Sequence, residues 1–552
     1  GRWEVTASHW VEADKNMPSG ESFARHLLYT KRYLSELLDI NPETLNIDFE
    51  PDTFGHTLNV PEILAEGGVK YYYHCRGYED HHLYRWVAPS GSAVTVYREP
   101  IWYNATIEPV MTAQIPEFCI KNGLTTMLKV YGVGDHGGGP TRRDIERIKD
   151  MNTWPIFPNI SFGTFAEFYA LVEPIADKLP EVKGELNFVF SGCYTSQSRI
   201  KMANRIGEAT LNEAEAWSAI SSVAAKTKYP ALSFEKAWRN ILLNQFHDIL
   251  PGSGVQETRE HAMGLFQNAM AAANANRSQA LRDTATMIDT SKYMTNEDIK
   301  ASISEGAGVG FGIKEFKIAQ IERGKGKNRI FNFFNSSAYD REEVVEIIAW
   351  DWQGEPKSIL ISNDQGVAVK HQLVGNGFNG YWGHHYARLL VMVKVPAFGY
   401  STYVLSEAKG GIDLYRQKDQ RVDKVIRDQF SLENDKLKVI FHPVNASILS
   451  LIDKSTGEDM VDPKQPTGIF RLIHEDTNKW MTAWWVGRYL RVENLHEKNV
   501  VIKKVYDETS PLRQAISYEM SFERSKLKVT VSLDNNSSNL DFNVECDWHE
   551  LG

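Results

Sequence analysis

Cysteine is scarce in this chain: its 552 residues include only Cys75, Cys119, Cys193 and Cys546. No two of them stand in a CxxC spacing. That argues against a disulfide framework and a cysteine zinc cluster, and favours a reducing, cytoplasmic compartment. Long apolar runs are missing too, since none reaches the roughly 18 residues that a membrane-spanning helix needs. Positive charge is in deficit, with 61 Lys and Arg against 71 Asp and Glu and a formal net charge of −10. Nucleic acid and anionic membrane both call for a basic face, so neither is expected as the main partner. No initiating Met or signal peptide stands ahead of Gly1-Arg2-Trp3. The expectation is an internal or processed piece of a longer protein.

What is present divides into three stretches. A chain of this length exceeds one hydrophobic core, so two to four domains are expected. Residues 1–195 alternate helix-like and strand-like segments: a helix over 22–38, a strand over 45–49, a helix over 60–65, and strands over 69–73 and 128–131. That alternation predicts an α/β domain on a parallel, barrel-like sheet, with its chemistry at the carboxyl ends of strands. Residues 196–300 read as three long helices, over 198–225, 233–246 and 255–288, which together suggest a bundle. A glycine-rich joint (Gly306, Gly308, Gly310, Gly312) precedes a period of two. Leu527, Val529, Val531 and Leu533 alternate with polar residues, as do Leu540, Phe542, Val544 and Cys546, so 301–552 is expected to be antiparallel and sandwich-like. Fourteen Trp and 23 Tyr could line sugar-binding surfaces, although most such residues are core.

Four segments concentrate reactive side chains at element ends. In Pro51-Asp52-Thr53-Phe54-Gly55-His56 a carboxylate is fixed between a proline and a Phe-Gly turn, although a helix cap would use the same residues. In Gln245-Phe246-His247-Asp248 an imidazole stands beside a carboxylate at a helix end. That suits metal ligation or acid–base work as well as neutralisation of the helix terminus. The loop 132–139 formally contains GxGxxG, the dinucleotide fingerprint. Asp135 sits where a pyrophosphate should, however, and Thr141 with Asp144 resembles a capping box that starts the helix late. Asp135 is then a candidate proton donor. The fourth segment, 10–25, is dense in polar groups ahead of a helix and supplies Trp10, Glu12 and Arg25 as candidate substrate contacts.

Taken together, WVEADKNMPSGESFAR (10–25), PDTFGH (51–56), GVGDHGGGPT (132–141), SGCYTSQSR (191–199) and QFHDILPGSG (245–254) resemble glycoside hydrolase family 38, the class II α-mannosidases, on their bacterial and cytosolic-type branch. The resemblance implies a retaining α-mannosidase. Asp52 would be both nucleophile and zinc ligand, His247 a further ligand, Asp135 the acid/base, and Asp248 a contact to the sugar. Two more ligands, from an H-x-D motif, would lie upstream of Gly1. The implied cofactor is one Zn2+ per site, and the implied partner an α-mannoside oligosaccharide or glycoconjugate; a homo-oligomer stays open. Two other readings compete: a carbohydrate-binding fragment of the same fold without turnover, and a dinucleotide-dependent enzyme built on the glycine loop.

Overall fold

The computed structural model describes residues 3–135, 137–187, 190–293, 327–352, 354–355, 358–379, 384–408, 430–462, 464–465, 467–476, 478, 481, 483–505 and 512–550. The glycine joint expected at 306–312 lies outside them. The chain forms two compact units, one of residues 1–283 with 478–487, the other of 284–477 with 488–552. The α/β and helical stretches, expected as separate domains, thus fall in one unit.

In the first unit, helix α1 (Gly20–Leu38) starts where the Ser19 side chain accepts from the Ser22 N–H, and ends at Asp39 in a left-handed conformation. Strands β1 (Ile47–Glu50) and β2 (Tyr71–His74) are parallel, joined through helix α2 (Val60–Glu66). Strands β3 (Leu83–Val87), β4 (Ala93–Arg98) and, after helices α3 (Ile115–Asn122), α4 (Arg142–Met151) and α5 (Phe165–Val172), β5 (Glu181–Lys183) complete a sheet of order β1-β2-β4-β3-β5. Alternate side chains feed opposite faces. Tyr72, Trp86, Val94 and Val96 pack with Leu27, Val60 and Leu64 on one side. Tyr73 and Tyr97 pack with Phe118, Phe168, Tyr169 and Val172 on the other. Both faces are therefore covered, which explains the near-continuous apolar and aromatic runs of β2 and β4.

Two expectations are corrected here. The sheet is mixed rather than parallel, because β3 and β4 pair antiparallel. Only residues 88–92 join them, closed by Ala88 N–H on Ser92 O (2.9 Å) and by Gly91 at φ +92°. A link that short makes a hairpin, whereas parallel neighbours need a crossover of about a dozen residues. Among the described residues the sheet also has two edges, β1 and β5, so it does not close as a barrel. Residues 128–131, expected as a strand, contribute only a bridge between Tyr131 and Ala105. Side chains take their backbone groups instead: Glu99 Oε2 accepts from Val130 N–H (3.3 Å), and the Tyr97 hydroxyl donates to Leu128 O.

Three long helices follow, α6 (Ser198–Ala224), α7 (Ala231–Leu243) and α8 (Gln256–Ala285). Leu211 and Ala214 of α6, Phe234, Trp238, Ile241 and Leu242 of α7, and Ala269 and Ala273 of α8 share one core with Tyr29 of α1.

The second unit is built of antiparallel strands. Residues Arg341–Trp350, His371–Asn379 and His384–Val395 form one three-stranded sheet, and Arg329–Phe334, Ile359–Asn363 and Tyr400–Glu407 another. Two four-stranded sheets further on share a core that includes Val439, Phe441, Ile516, Tyr518, Val529 and Val531. The alternating runs near the C-terminus become the paired strands Ser525–Asp534 and Asp541–Asp547, with Val529 opposite Val544. The first buries its apolar face, but the second is an exposed edge strand, so its alternation marks no core. All four cysteines are free, and no helix among the described residues is long and apolar enough to cross a membrane.

Candidate active site

The polar segment 12–16 runs between two turns that are far apart in sequence. On one side Ala13 bridges Phe246, and Asp14 N–H donates to Gln245 O (2.9 Å). On the other, Lys15 bridges His56, and Lys15 N–H donates to Gly55 O (3.2 Å). Gly55 is required at that crossing, since a Cβ there would lie 2.0 Å from Asn16 Nδ2. Glu12 ties both turns together. Its Oε1 accepts from the backbone N–H of Asp52 (2.6 Å) and of Thr53 (3.1 Å), and its carbonyl accepts from His247 N–H (3.0 Å). Burial pushes the Glu12 carboxyl above the ordinary range, against the pull of His247 and of these two N–H donors.

Asp52 stands just beyond β1 and is gripped on one oxygen. Arg76, two residues past β2, donates Nε–H to Asp52 Oδ1 (2.5 Å) and brings its second nitrogen to the same atom. The guanidinium lies over the rings of Trp102 (4.8 Å), Phe190 (5.2 Å) and Phe54 (5.3 Å), which hold it flat. The other oxygen, Oδ2, is 3.8 Å from His247 Nε2. Nδ1 of that imidazole is 3.0 Å from Glu12 O, an atom that can only accept, so Nδ1 carries a proton and, in the neutral ring, Nε2 presents its lone pair. Asp248 Oδ2 lies 3.9 Å from the same Nε2, and its Oδ1 accepts from Ser253 Oγ (2.7 Å).

Asp135 reaches the same neighbourhood through Tyr103. Burial raises the Tyr103 phenol well above its ordinary range, and the charges of Asp52 and Asp135 add to that, with a hydrogen bond to Asp52. Asn104, the next residue, donates Nδ2–H to Asp135 Oδ1 (2.7 Å). The loop that presents Asp135 closes on itself: Val133 N–H meets Gly139 O (3.1 Å), Gly134 N–H meets Gly138 O (2.8 Å), and Gly137 N–H meets Gly134 O (3.0 Å). Those amides are not free to cradle a pyrophosphate, and α4 starts at a complete Thr141–Asp144 capping box. The dinucleotide reading therefore loses its physical basis.

Of the seven residues singled out in the sequence, Asp52, His247, Asp248, Glu12 and Asp135 gather in this region. Trp10 and Arg25 are engaged in helix packing instead. Trp10 meets Tyr33 edge-on and lies under Arg239 (4.7 Å). Arg25 pairs with Glu215 (2.6 Å) and Glu21 (2.7 Å) and covers Trp238. Sequence reasoning did not find Arg76, Tyr103, or the pair Trp484-Trp485. Trp484 packs with Phe54 and Phe190, and Trp485 meets Phe190 edge-on at 4.9 Å. A doublet of tryptophans inside a β-rich stretch was the one available signal.

Asp52 and His247 offer two donors of the kind a divalent cation takes, short of the three or four protein ligands of a zinc site. A carboxylate oxygen and an imidazole lone pair converge from two rigid turns, and the imidazole is oriented through its far nitrogen, as in metal-ligating histidines.

An α/β region, a helical region and a β region follow one another in this order, and the family matches define the class as glycosyl hydrolase. Residues 1–185 match the glycosyl hydrolases family 38 N-terminal domain, 189–283 the alpha mannosidase middle domain, and 432–551 the glycosyl hydrolases family 38 C-terminal domain. The chain belongs to glycosyl hydrolase family 38. Alpha-mannosidase G of Dictyostelium discoideum is 26% identical over all of this chain and 49% of its own length. Alpha-mannosidase 2C1 of Homo sapiens is 29% identical over 48% of this chain and 26% of its own. The chain thus spans half or less of these two curated relatives. An alpha-mannosidase from Enterococcus faecalis V583 shares the fold with a TM-score of 0.68 at 18% identity, over 98% of this chain and 64% of that one.

Proposed function

We propose that the protein is a retaining, metal-dependent α-mannosidase that works through a covalent mannosyl-aspartate on Asp52. The observation that carries this reading is the approach of Asp52 Oδ2 to the lone-pair nitrogen of His247, with Oδ1 held by Arg76. Asp52 and His247 would hold the metal, which when bound supplies a Lewis acid for vicinal sugar hydroxyls. The protein's own groups do the rest. Arg76 and the Glu12-capped turn fix the attacking carboxylate in direction and position. Asp135 donates a proton to the departing glycosidic oxygen and then takes one from water as the ester is cleaved. Retention needs two carboxyl groups about 5–5.5 Å apart. Tyr103, which feels the charge of both Asp52 and Asp135, supports their pairing in this role, and Asp248 would accept a hydrogen bond from a sugar hydroxyl.

A turnover assay on an aryl α-mannoside with added Zn2+ tests this reading. Asp52→Ala is expected to lower the rate by at least about 10³-fold. A rate close to that of the unaltered chain removes Asp52 from the chemistry.

A further inference from the structure

Behind the Asp52 turn lies a second group of ligand-type side chains that the reaction does not use. His9, Asp48 and Glu50 are buried, and each offers one ligand atom within 4.8 Å of the others. Asp48 and Glu50, both on strand β1, are four and two residues ahead of Asp52. They are 1% exposed, and an unpaired carboxylate at such a position is costly. The ammonium of Lys15, itself 0% exposed, stands 3.1 Å from Asp48 Oδ2 and 2.8 Å from Glu50 Oε1. The remaining carboxylate oxygens are satisfied from other directions. Asp48 Oδ1 accepts from Ser8 Oγ (2.7 Å) and meets His9 Nδ1 (2.8 Å), and Glu50 Oε2 accepts from Thr53 Oγ1 (2.5 Å). The Phe23 ring covers the ammonium from 5.9 Å. Burial alone would strip the lysine of its proton, but the two carboxylates outweigh it and hold Lys15 charged.

We propose that Lys15 is a built-in cation: its ammonium fills a His9–Asp48–Glu50 cage that would otherwise take a divalent metal ion. A histidine and two carboxylates are a sufficient donor set for Zn2+ or a similar ion. An ammonium on a flexible four-carbon stem is a compact point charge that needs no loading and cannot be chelated away. The consequence is twofold. The strand that presents Asp52 is pinned through Glu50 and Thr53 whether or not metal is available. Around the Asp52 turn, a metal would then meet the Asp52–His247 pair rather than a deeper and better-shielded competitor four residues away. Lys15 is thus a positioning residue that also enforces where metal binds.

The test counts metal in the full chain, so it does not depend on activity or on the assignment of Asp52. The unaltered protein, Lys15→Met and Lys15→Arg are equilibrated with Zn2+, freed of excess ion and measured by elemental analysis. Lys15→Met is expected to hold one equivalent more than the unaltered protein, and Lys15→Arg none more. Adding Asp48→Asn to Lys15→Met should remove the extra equivalent. The half-exposed His474–Glu493–Glu523 group, which could also bind an ion, is common to every variant and cancels in the comparison. Folded Lys15→Met with an unchanged metal count overturns the proposal. Should that variant fold only in the presence of zinc, the ion is replacing the ammonium and the proposal stands. Should it fail to fold in zinc as well, Lys15→Gln is counted the same way; failure of both in zinc also overturns it. An unaltered protein that binds no zinc while Lys15→Met binds one equivalent would support this inference and sink the metal reading of Asp52 and His247.

Discussion

At Asp52 and His247 the chemistry rests on which atoms are already committed. Arg76 uses one oxygen of Asp52, and Glu12 uses the proton-bearing nitrogen of His247, so the atoms left over face each other. This division of labour is what a metal or a sugar hydroxyl would meet in the proposed reaction. Converting His247 to Ala removes the lone pair and is expected to lower bound zinc by about tenfold or more in elemental analysis, as for loss of a ligand; undiminished metal would contradict its role. These two residues were legible in the sequence because each sits in a short motif that forces a turn at an element end. Glu12 was legible only as part of a polar run. Arg76 and Tyr103 were not legible, since an arginine after a tyrosine-rich strand and a tyrosine after a tryptophan look the same in a core. Their roles depend on where β2 and the segment after β4 deliver them.

Among the elements, three buried histidines, one at the end of β2, one on α1 and one in the loop before α2, stay neutral around pH 7. His74, at the end of β2, donates Nδ1–H to Arg76 O (2.6 Å) and meets the Tyr84 hydroxyl of β3 through Nε2 (2.7 Å). Burial lowers its pKa to about 3. Burial also holds His56, on the Tyr72 hydroxyl, and His26 of α1, on Gln245, well below the ordinary value. In the unfolded chain these rings gain protons below about pH 6.5, while the folded ones stay neutral. Their stabilising contribution is therefore complete above that pH and is lost as the pH falls from about 6.5 toward 3. The slope is up to about 1.4 kcal/mol per pH unit for each ring. Urea unfolding followed by tryptophan fluorescence should show a clearly lower midpoint at pH 5 than at pH 7; equal midpoints would contradict neutral burial. Periodicity revealed the helices and the first two strands because each buries one face or both. It missed β3, β4 and β5, whose hairpin is set by Gly91, and it overread 128–131, where side chains rather than a neighbouring strand take the backbone groups.

For the molecule as a whole, the division into units does not follow the order of the chain. Residues 478–487, embedded in a stretch of antiparallel strands, belong to the unit that carries Asp52. Gly192 N–H donates to Trp484 O (2.9 Å), Ser196 Oγ donates to Ala483 O (2.9 Å), and a Cβ on Gly192 would meet the Trp484 backbone at 2.8 Å. This excursion backs the aromatic box around Arg76. Trp484→Ala is accordingly expected to lower stability by about 2–3 kcal/mol, somewhat under the cost for a fully buried tryptophan, and to weaken turnover with it. A loss of stability under about 0.5 kcal/mol in urea unfolding would mean the excursion is ornamental. Beyond the tryptophan doublet, no pattern in the sequence announced that contact, because nothing local distinguishes a loop that crosses back from one that does not.

The central claim is that Asp52 attacks the sugar. It is tested most directly by incubating the chain and zinc with a 5-fluoro-α-mannosyl fluoride, which forms a glycosyl-enzyme quickly and releases it slowly, and then mapping the labelled peptide by mass spectrometry. The account predicts a single mannosyl adduct on Asp52, absent in Asp52→Asn. An adduct on any other carboxylate, or turnover with none at Asp52, would contradict it.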